Sequence, residues 1–279
     1  MIQITAEQIR THYEIEKELA DRIKNADAEQ RRQLYTIVYD ELLHRVPHHP
    51  HLIQQKSKEI RNQAINNHLK LLKKFLNKNI SFLEIGAGDC ALSLRVAAYV
   101  KKVFAVDVCN EIVSGVVQPA NFQLLISDGT SIPVPENSIH IAYSNQLMEH
   151  LHPDDAFQQL TNIYNALTRD GIYVCITPNR YTGPHDISKH FDDISTCLHL
   201  KEYTIKELSD LFREAGFSEL RLFAGGKGLY IPFPIKIALL CEKSFNLLPI
   251  KLRKVAAKFL LFQTILGIKI IGFKRSIYT

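Results

Sequence analysis

Apolar positions change their period once along this chain, near residue 78. Before it they fall at helical spacing. Thr5-x-x-Gln8 reads as a capping box, followed by Ile9, Tyr13, Leu19 and Ile23 on roughly one face. From about Ala28, a second stripe of Leu34, Tyr35, Val38, Leu42 and Val46 ends at Pro47, and Ile60, Ala64, Leu69, Leu72 and Leu76 make a third. After residue 78 the pattern becomes short apolar runs of strand length at 81–85, 103–107, 122–126, 139–144 and 171–176. Helical stretches near 91–99, 110–117 and 154–167 separate them. Such alternation predicts an α/β fold with a mostly parallel sheet covered on both faces.

A connection of 27 residues, 177–203, precedes the next helix at 204–215. Connections that long inside a compact domain are usually functional or disordered. Phe191, Leu198 and Leu200 within it favour order. A strand follows at 219–223, and the last strand falls at 268–273, so 224–264 reads as an insertion between two strands.

Composition adds little until it is divided. The 279 residues carry 34 Lys and Arg against 29 Asp and Glu, and 46% are apolar, which excludes disorder and collagen-like sequence. Residues 224–279 hold ten basic side chains and a single acid, Glu242, for a net +9, whereas the first 223 residues sum to −4. That asymmetry points to an anionic surface, an acidic substrate or nucleic acid. No signal peptide is expected from Met1-Ile2-Gln3-Ile4-Thr5. The apolar run 259–268 falls short of the roughly 20 residues that a spanning helix needs. The five cysteines are odd in number and form no C-x-x-C pair, which argues for a reducing compartment and against zinc. A cytoplasmic location is the expectation.

The first chemical signal is Glu84-Ile85-Gly86-Ala87-Gly88-Asp89-Cys90-Ala91, a glycine turn between a strand and a helix. Glycines let the backbone turn tightly and bring a ligand to the helix N-terminus. By itself G-x-G-x-x-A also matches a dinucleotide loop. Glu84 suits a cationic ligand better than a pyrophosphate, and Asp107, 21 residues after Gly86, can hold a ribose diol. Asp107 alone fits NAD or S-adenosylmethionine.

Further on come Asp128-Gly129-Thr130, then Ile132-Pro133-Val134-Pro135-Glu136-Asn137-Ser138-Ile139-His140-Ile141, and Ser144-Asn145-Gln146-Leu147-Met148-Glu149-His150-Leu151. With these in order, residues 80–223 resemble the class I S-adenosylmethionine-dependent methyltransferases, specifically the small-molecule group of the quinone-biosynthesis enzymes, and 121–180 carries much of the resemblance. It implies a Rossmann-like seven-stranded mostly parallel sheet with an antiparallel last strand, here 268–273. An N-terminal helical cover (1–78) would precede the methyltransferase domain (79–279). It also implies cofactor-binding roles: Glu84, Gly86, Ala87 and Gly88 at the methionine end, Asp107 at the ribose, Asp128 and Gly129 at the adenine, Asn145 and Gln146 near the sulfonium. The family usually has Asp where this chain has His140, a position read as structural.

Methyl transfer is an in-line displacement whose leaving thioether needs no acid. A base serves an oxygen nucleophile, and His150 and His185 are the catalytic candidates because an unperturbed histidine titrates near neutrality. His152 reads as a helix cap, Cys90 as packing, and His48, His49 and His51 as a solvated turn, with no metal site expected. The expected acceptor is a small molecule carrying a hydroxyl, with acidic and lipid-linked types left open. A base-methylating enzyme would carry an Asp/Asn-Pro-Pro-aromatic motif or a placed nucleophilic cysteine, so the residues argue against nucleic acid. The basic insertion 224–264 reads as a lid or a peripheral membrane foot. Oligomeric state is not legible. A non-catalytic cofactor-binding protein and an NAD-dependent oxidoreductase are the competing classes.

Overall fold

A computed structural model describes residues 4–49, 58–109 and 117–275. Two N-terminal helices, α1 (Ala6–Lys24) and α2 (Ala28–Arg45), each begin with a capping box, from Thr5 to Gln8 and from Asp27 to Gln30. A third, α3 (Lys58–Leu72), leads into the sheet. Then follow β1 (Ser81–Ile85), α4 (Ala91–Val96), β2 (Lys102–Asp107), β3 (Phe122–Ile126), β4 (Ile139–Asn145), α5 (Pro153–Ala166) and β5 (Leu167–Thr177). The helix expected near 110–117 falls almost entirely outside the described residues. After the long connection come α6 (Ile205–Glu214), β6 (Glu219–Gly226), β7 (Leu229–Phe233), α7 (Ile235–Asn246), α8 (Ile250–Ala256), α9 (Leu260–Leu266) and β8 (Ile268–Phe273).

The strand order is β3-β2-β1-β4-β5-β8-β6-β7. Strands β1 to β5 pair in parallel, whereas β8 runs antiparallel to both β5 and β6. The expected antiparallel last strand is therefore present, and the sheet has eight strands where seven were expected. The extra one is β7, which pairs antiparallel with an extended β6, Leu222 opposite Phe233 and Gly226 opposite Leu229. It lies inside the segment that the sequence reads as a helical insertion. Leu-Tyr-Ile-Pro-Phe is short and holds Pro232, which is tolerated because the strand is at the sheet edge.

Each face of the sheet carries its own buried cluster. On one, Leu19, Ile23, Tyr35, Val38 and Leu42 of the first two helices pack with residues of α5, α6 and the β8 strand. On the other, Leu71 and Leu72 of α3 pack with Leu92 and Val96 of α4. The N-terminal helices thus divide between the two faces.

A buried ion pair fastens α2 to the sheet domain. Arg31 grips Asp155, in the first turn of α5, through Nε to Oδ2 at 2.5 Å and Nη2 to Oδ1 at 2.8 Å. Tyr35, one helical turn on, donates its hydroxyl to Asp155 Oδ2 at 2.8 Å and accepts from the His152 amide at 2.9 Å. Both charged side chains are only 7% exposed. Burial raises the Asp155 carboxyl, but the Arg31 and Tyr35 bonds outweigh it and hold the group below its ordinary value. Removing one partner of such a pair leaves a buried charge without compensation. Arg31→Ala is therefore expected to cost about 3–5 kcal/mol of stability at neutral pH, read by urea unfolding. A loss below about 1 kcal/mol, the range of an exposed pair, would contradict this picture.

Candidate functional site

At the C-terminal edge of the sheet, β1 turns into α4 through the glycine segment. Gly86 has φ +67°, and a Cβ there would come within 3.0 Å of the Leu147 side chain. The Gly86 and Ala87 amides both donate to Val106 O, at 2.9 and 3.2 Å, which pins the turn to the end of β2. The N-cap of α4 is Cys90, left-handed and without a side-chain cap bond. Glu84 supplies what it lacks: its buried Oε2 accepts from the Ser93 amide at 2.9 Å and from Ser93 Oγ at 2.6 Å. Burial pushes Glu84 up to about 8 despite these donors. Cys90 is buried and its thiol is pushed up to about 12 by burial, which suits packing and not reaction.

Asp107 closes β2 beside this turn. Its Oδ2 accepts from the Gly88 amide at 2.7 Å, and Oδ1 accepts from the Val108 and Cys109 amides at 2.8 and 3.2 Å. Burial raises it above the ordinary carboxylate range. Glu84, the glycine turn and Asp107 therefore meet at one end of β1 and β2. Asn145 ends β4 next to them, and Gln146 takes φ +54° with its amide on Ile176 O at 2.8 Å. A cavity of about 220 Å³ lies between Glu84, Ala87 and Asn145 on the sheet side and Ile65 and His68 of α3 on the other. Open α/β sheets bind ligands in this place, outside the carboxyl ends where strand order reverses.

Asp128 stands after β3. Its Oδ1 accepts from the Thr130 amide at 2.9 Å, Thr130 Oγ1 at 3.0 Å and the Ser131 amide at 2.7 Å. Burial raises the group, yet these donors prevail and hold it low. Oδ2 lies 3.7 Å from Arg32 Nε of α2. Gly129 has φ +91°, and a Cβ there would come within 2.7 Å of the Tyr35 ring, so only glycine admits that ring. The clamp that holds α2 thus also closes it over the Asp128-Gly129 turn.

Of the two catalytic candidates, the structure places only His150 in a buried polar group. Its Nδ1 lies 2.9 Å from Leu198 O. A carbonyl only accepts, so Nδ1 carries the hydrogen and Nε2 the lone pair. Burial lowers His150 to about 3. Its ring meets those of Tyr39 and His199 edge-on, with centroids 5.6 and 4.8 Å apart. His199 sits in the long connection with Nδ1 2.8 Å from Glu202 Oε1. Burial lowers His199, but the Glu202 bond and the Glu149 and Glu202 charges prevail and raise it. Glu149 accepts from Thr177 Oγ1 at 2.8 Å through Oε2, while its buried Oε1 has no hydrogen-bond partner. Burial pushes Glu149 up to about 7. Donor atoms of Glu149, His150 and His199 lie within 4.8 Å of one another, a spacing that could also hold a metal ion.

His185 does not join this group. It is exposed, with Nε2 3.0 Å from Thr182 Oγ1 and 3.2 Å from Asn179 O. His152 caps α5 by accepting from the Asp154 amide, and His140 accepts from the Ser81 amide, both structural as read. The histidine turn is more than solvated: His49 Nε2 lies 3.6 Å from Glu16 Oε1 of α1, and His12 Nε2 lies 2.6 Å from the same oxygen. His51 lies outside the described residues. Tyr39, Glu149, His199 and Glu202, which complete the group around His150, stand in no motif that marks them in the sequence. His12 and Glu16 stand at i, i+4 on the buried face of α1 and form, with His49, a separate cluster.

Residues 83–175 match the methyltransferase domain family. No curated protein matches the chain. Among solved structures, a chain of the Haloferax volcanii complex between the Trm112 methyltransferase activator and a methyltransferase superposes with a TM-score of 0.56 at 16% identity, over 78% of this chain and 93% of that one. A phosphoethanolamine N-methyltransferase 1 from Haemonchus contortus, in complex with phosphoethanolamine and S-adenosylhomocysteine, gives 0.57 at 13% identity, over 91% of this chain and 51% of that one. A SAM-dependent methyltransferase from Thermotoga maritima gives 0.51 at 14% identity, over 81% and 99%. The likeness to these structures is one of fold, and the family match lies on the strands and turns that form the site. Residues 83–175 thus match a methyltransferase domain, set on the fold that the chain shares with these structures.

Proposed function

We propose that the protein transfers the methyl group of S-adenosylmethionine to a hydroxyl of a small-molecule acceptor held beside Glu149, His150 and His199. The observation that carries this reading is the Glu149 Oε1 atom, buried without a partner, next to two histidines whose Nδ1 atoms are already engaged. A buried polar atom left unpaired costs about 1–3 kcal/mol, and a ligand hydroxyl would remove that cost. The group follows directly on Asn145 and Gln146 at the end of β4.

Glu84 and the 86–88 turn hold the cationic methionine end, Asp107 the ribose hydroxyls, Asp128 and the Gly129 backbone the adenine, and Asn145 with Gln146 the region of the sulfonium. The residues fit such a ligand: Glu84 is a buried carboxyl without an ion-pair partner among the described residues, and a Cβ at Gly88 would meet open space. When bound, S-adenosylmethionine supplies an electrophilic methyl on a sulfonium whose departing thioether needs no proton. The protein's task is then alignment and exclusion of water. Orientation contributes about 7–11 kcal/mol, and a base adds roughly 10²–10⁴-fold. His150 stays neutral and orients the acceptor through Nε2. His199, its Nδ1–H fixed on Glu202, takes the hydroxyl proton at Nε2 while the acceptor oxygen bonds the methyl carbon. His185, committed to Thr182 and Asn179, has no part in this step.

Two outcomes test the reading. His199→Ala is expected to lower turnover on a hydroxyl acceptor by about 10²–10⁴-fold with unchanged affinity for S-adenosylmethionine, whereas His185→Ala stays near wild type. Full turnover in the His199 variant would exclude the assignment. The second outcome follows from Glu84, which burial holds protonated up to about pH 8 in the free protein. A cationic ligand favours the ionised form, so binding at pH 7 releases a proton, and affinity rises with pH by up to about tenfold per unit until pH passes that value. Calorimetric titration in buffers of different ionisation heat reads the release. The difference between wild type and Glu84→Gln isolates it, and equal proton release in both would contradict it.

A further inference from the structure

The three helices between β7 and β8 are apolar on two sides. In α7, Ala238, Glu242 and Phe245 face inward and are buried. Ile237, Leu240 and Leu247 share the opposite face by helical spacing and are exposed, Leu240 by 64% and Leu247 by 78%. Leu252 of α8, Phe259, and Leu260 and Leu261 of α9 are exposed by 57%, 61%, 71% and 63%. Of the eighteen exposed large hydrophobic residues among those described, eleven lie between Leu229 and Leu261. Single exposed leucines are ordinary, but a concentration of this kind on one insertion marks an interaction surface.

Charge narrows the partner. Exposed Lys236, Lys243, Lys251 and Lys258 lie among these residues and make no ion pair among the described residues. Lys254 pairs with Asp193, and Arg253 lies over the Tyr181 ring at 5.3 Å. The segment's single acid, Glu242, is turned inward. It accepts from Asn179 Nδ2 at 2.8 Å, the Ile205 amide at 2.6 Å and the Lys206 amide at 3.1 Å, tying α7 to the start of α6. The outward face therefore carries leucines and cations and no acid. A second copy docked face to face would set like charges together, whereas an anionic lipid surface accepts both features. The longest of these helices, α7, has 12 residues. At about 1.5 Å per residue it is too short to cross a bilayer, and no helix among the described residues is long and apolar enough to do so.

We infer that residues 229–261 form a peripheral docking surface for an anionic lipid bilayer, with α7 to α9 lying in the interface. Arg253, Lys254 and Glu242 connect this surface to the 177–203 connection, so docking sets that connection, and the acceptor group it contributes to, beside the membrane. Binding is read without turnover and stands apart from the acceptor assignment.

Co-sedimentation of the full chain with vesicles of phosphatidylcholine and phosphatidylglycerol tests the inference. The expected result is binding that weakens with salt and is lost on vesicles of phosphatidylcholine alone. Lys251→Glu with Lys258→Glu, and separately Leu247→Asp with Leu260→Asp, should each weaken binding by at least about tenfold. All four side chains are exposed, so thermal melts should not move. No binding at low salt, or equal binding by the wild type and both variants, would overturn it. So would self-association, seen by sedimentation velocity, that the Leu247→Asp and Leu260→Asp pair abolishes while vesicle binding is unaffected.

Discussion

The arrangement depends on one buried carboxylate. Asp155 takes both arms of Arg31 and the hydroxyl of Tyr35, and these bonds set where α2 lies on the sheet domain. From that position Tyr35 reaches the Gly129 turn, Arg32 reaches Asp128, and Tyr39 meets His150. One ion pair therefore brings an N-terminal helix over the Asp128-Gly129 turn and the group around His150 together. Such a pair gains little over an apolar substitute, but it punishes any other register because either charge alone would be buried and unpaired.

Two carboxyls near the site are held unlike ordinary surface acids. Glu84 and Glu149 are both pushed up by burial, to about 8 and about 7. Asp128 is held low by a ring of donors. The contrast has a chemical use. A group poised near neutrality changes its charge when a ligand arrives, whereas one already ionised and saturated with donors stays fixed. On the proposed reading the poised groups face the cationic end of the cofactor and the acceptor hydroxyl, and the fixed one faces the adenine.

Much of the sheet was legible because its signals are local. The strand at 81–85, the capping box at Thr5 and the strand at 268–273 follow from short-range pattern, while the antiparallel sense of that last strand followed from the family resemblance. The glycine turn could be found because Gly86 and Gly88 must adopt positive φ. Strand β7 escaped because its five residues are apolar without alternation and pair mostly with an extension of β6, Ala224 to Gly226, which no period reveals. The acceptor group escaped for a different reason. His199 meets His150 across about fifty positions of chain, and His185 was a natural candidate by type although its ring turns to Thr182 instead. Side-chain convergence of that kind is a tertiary fact.

On the proposed reading, the edge formed by Glu84, the 86–88 turn and Asp107 is an S-adenosylmethionine site. Calorimetric titration of the full chain with S-adenosylmethionine and with NAD tests it most directly, using wild type and Asp107→Ala. One-site binding of S-adenosylmethionine is expected, with no binding of NAD and a loss of at least about tenfold in the variant, roughly 1.4 kcal/mol for the ribose hydrogen bonds. Binding of NAD in place of S-adenosylmethionine, or unchanged S-adenosylmethionine affinity in the variant, would contradict it.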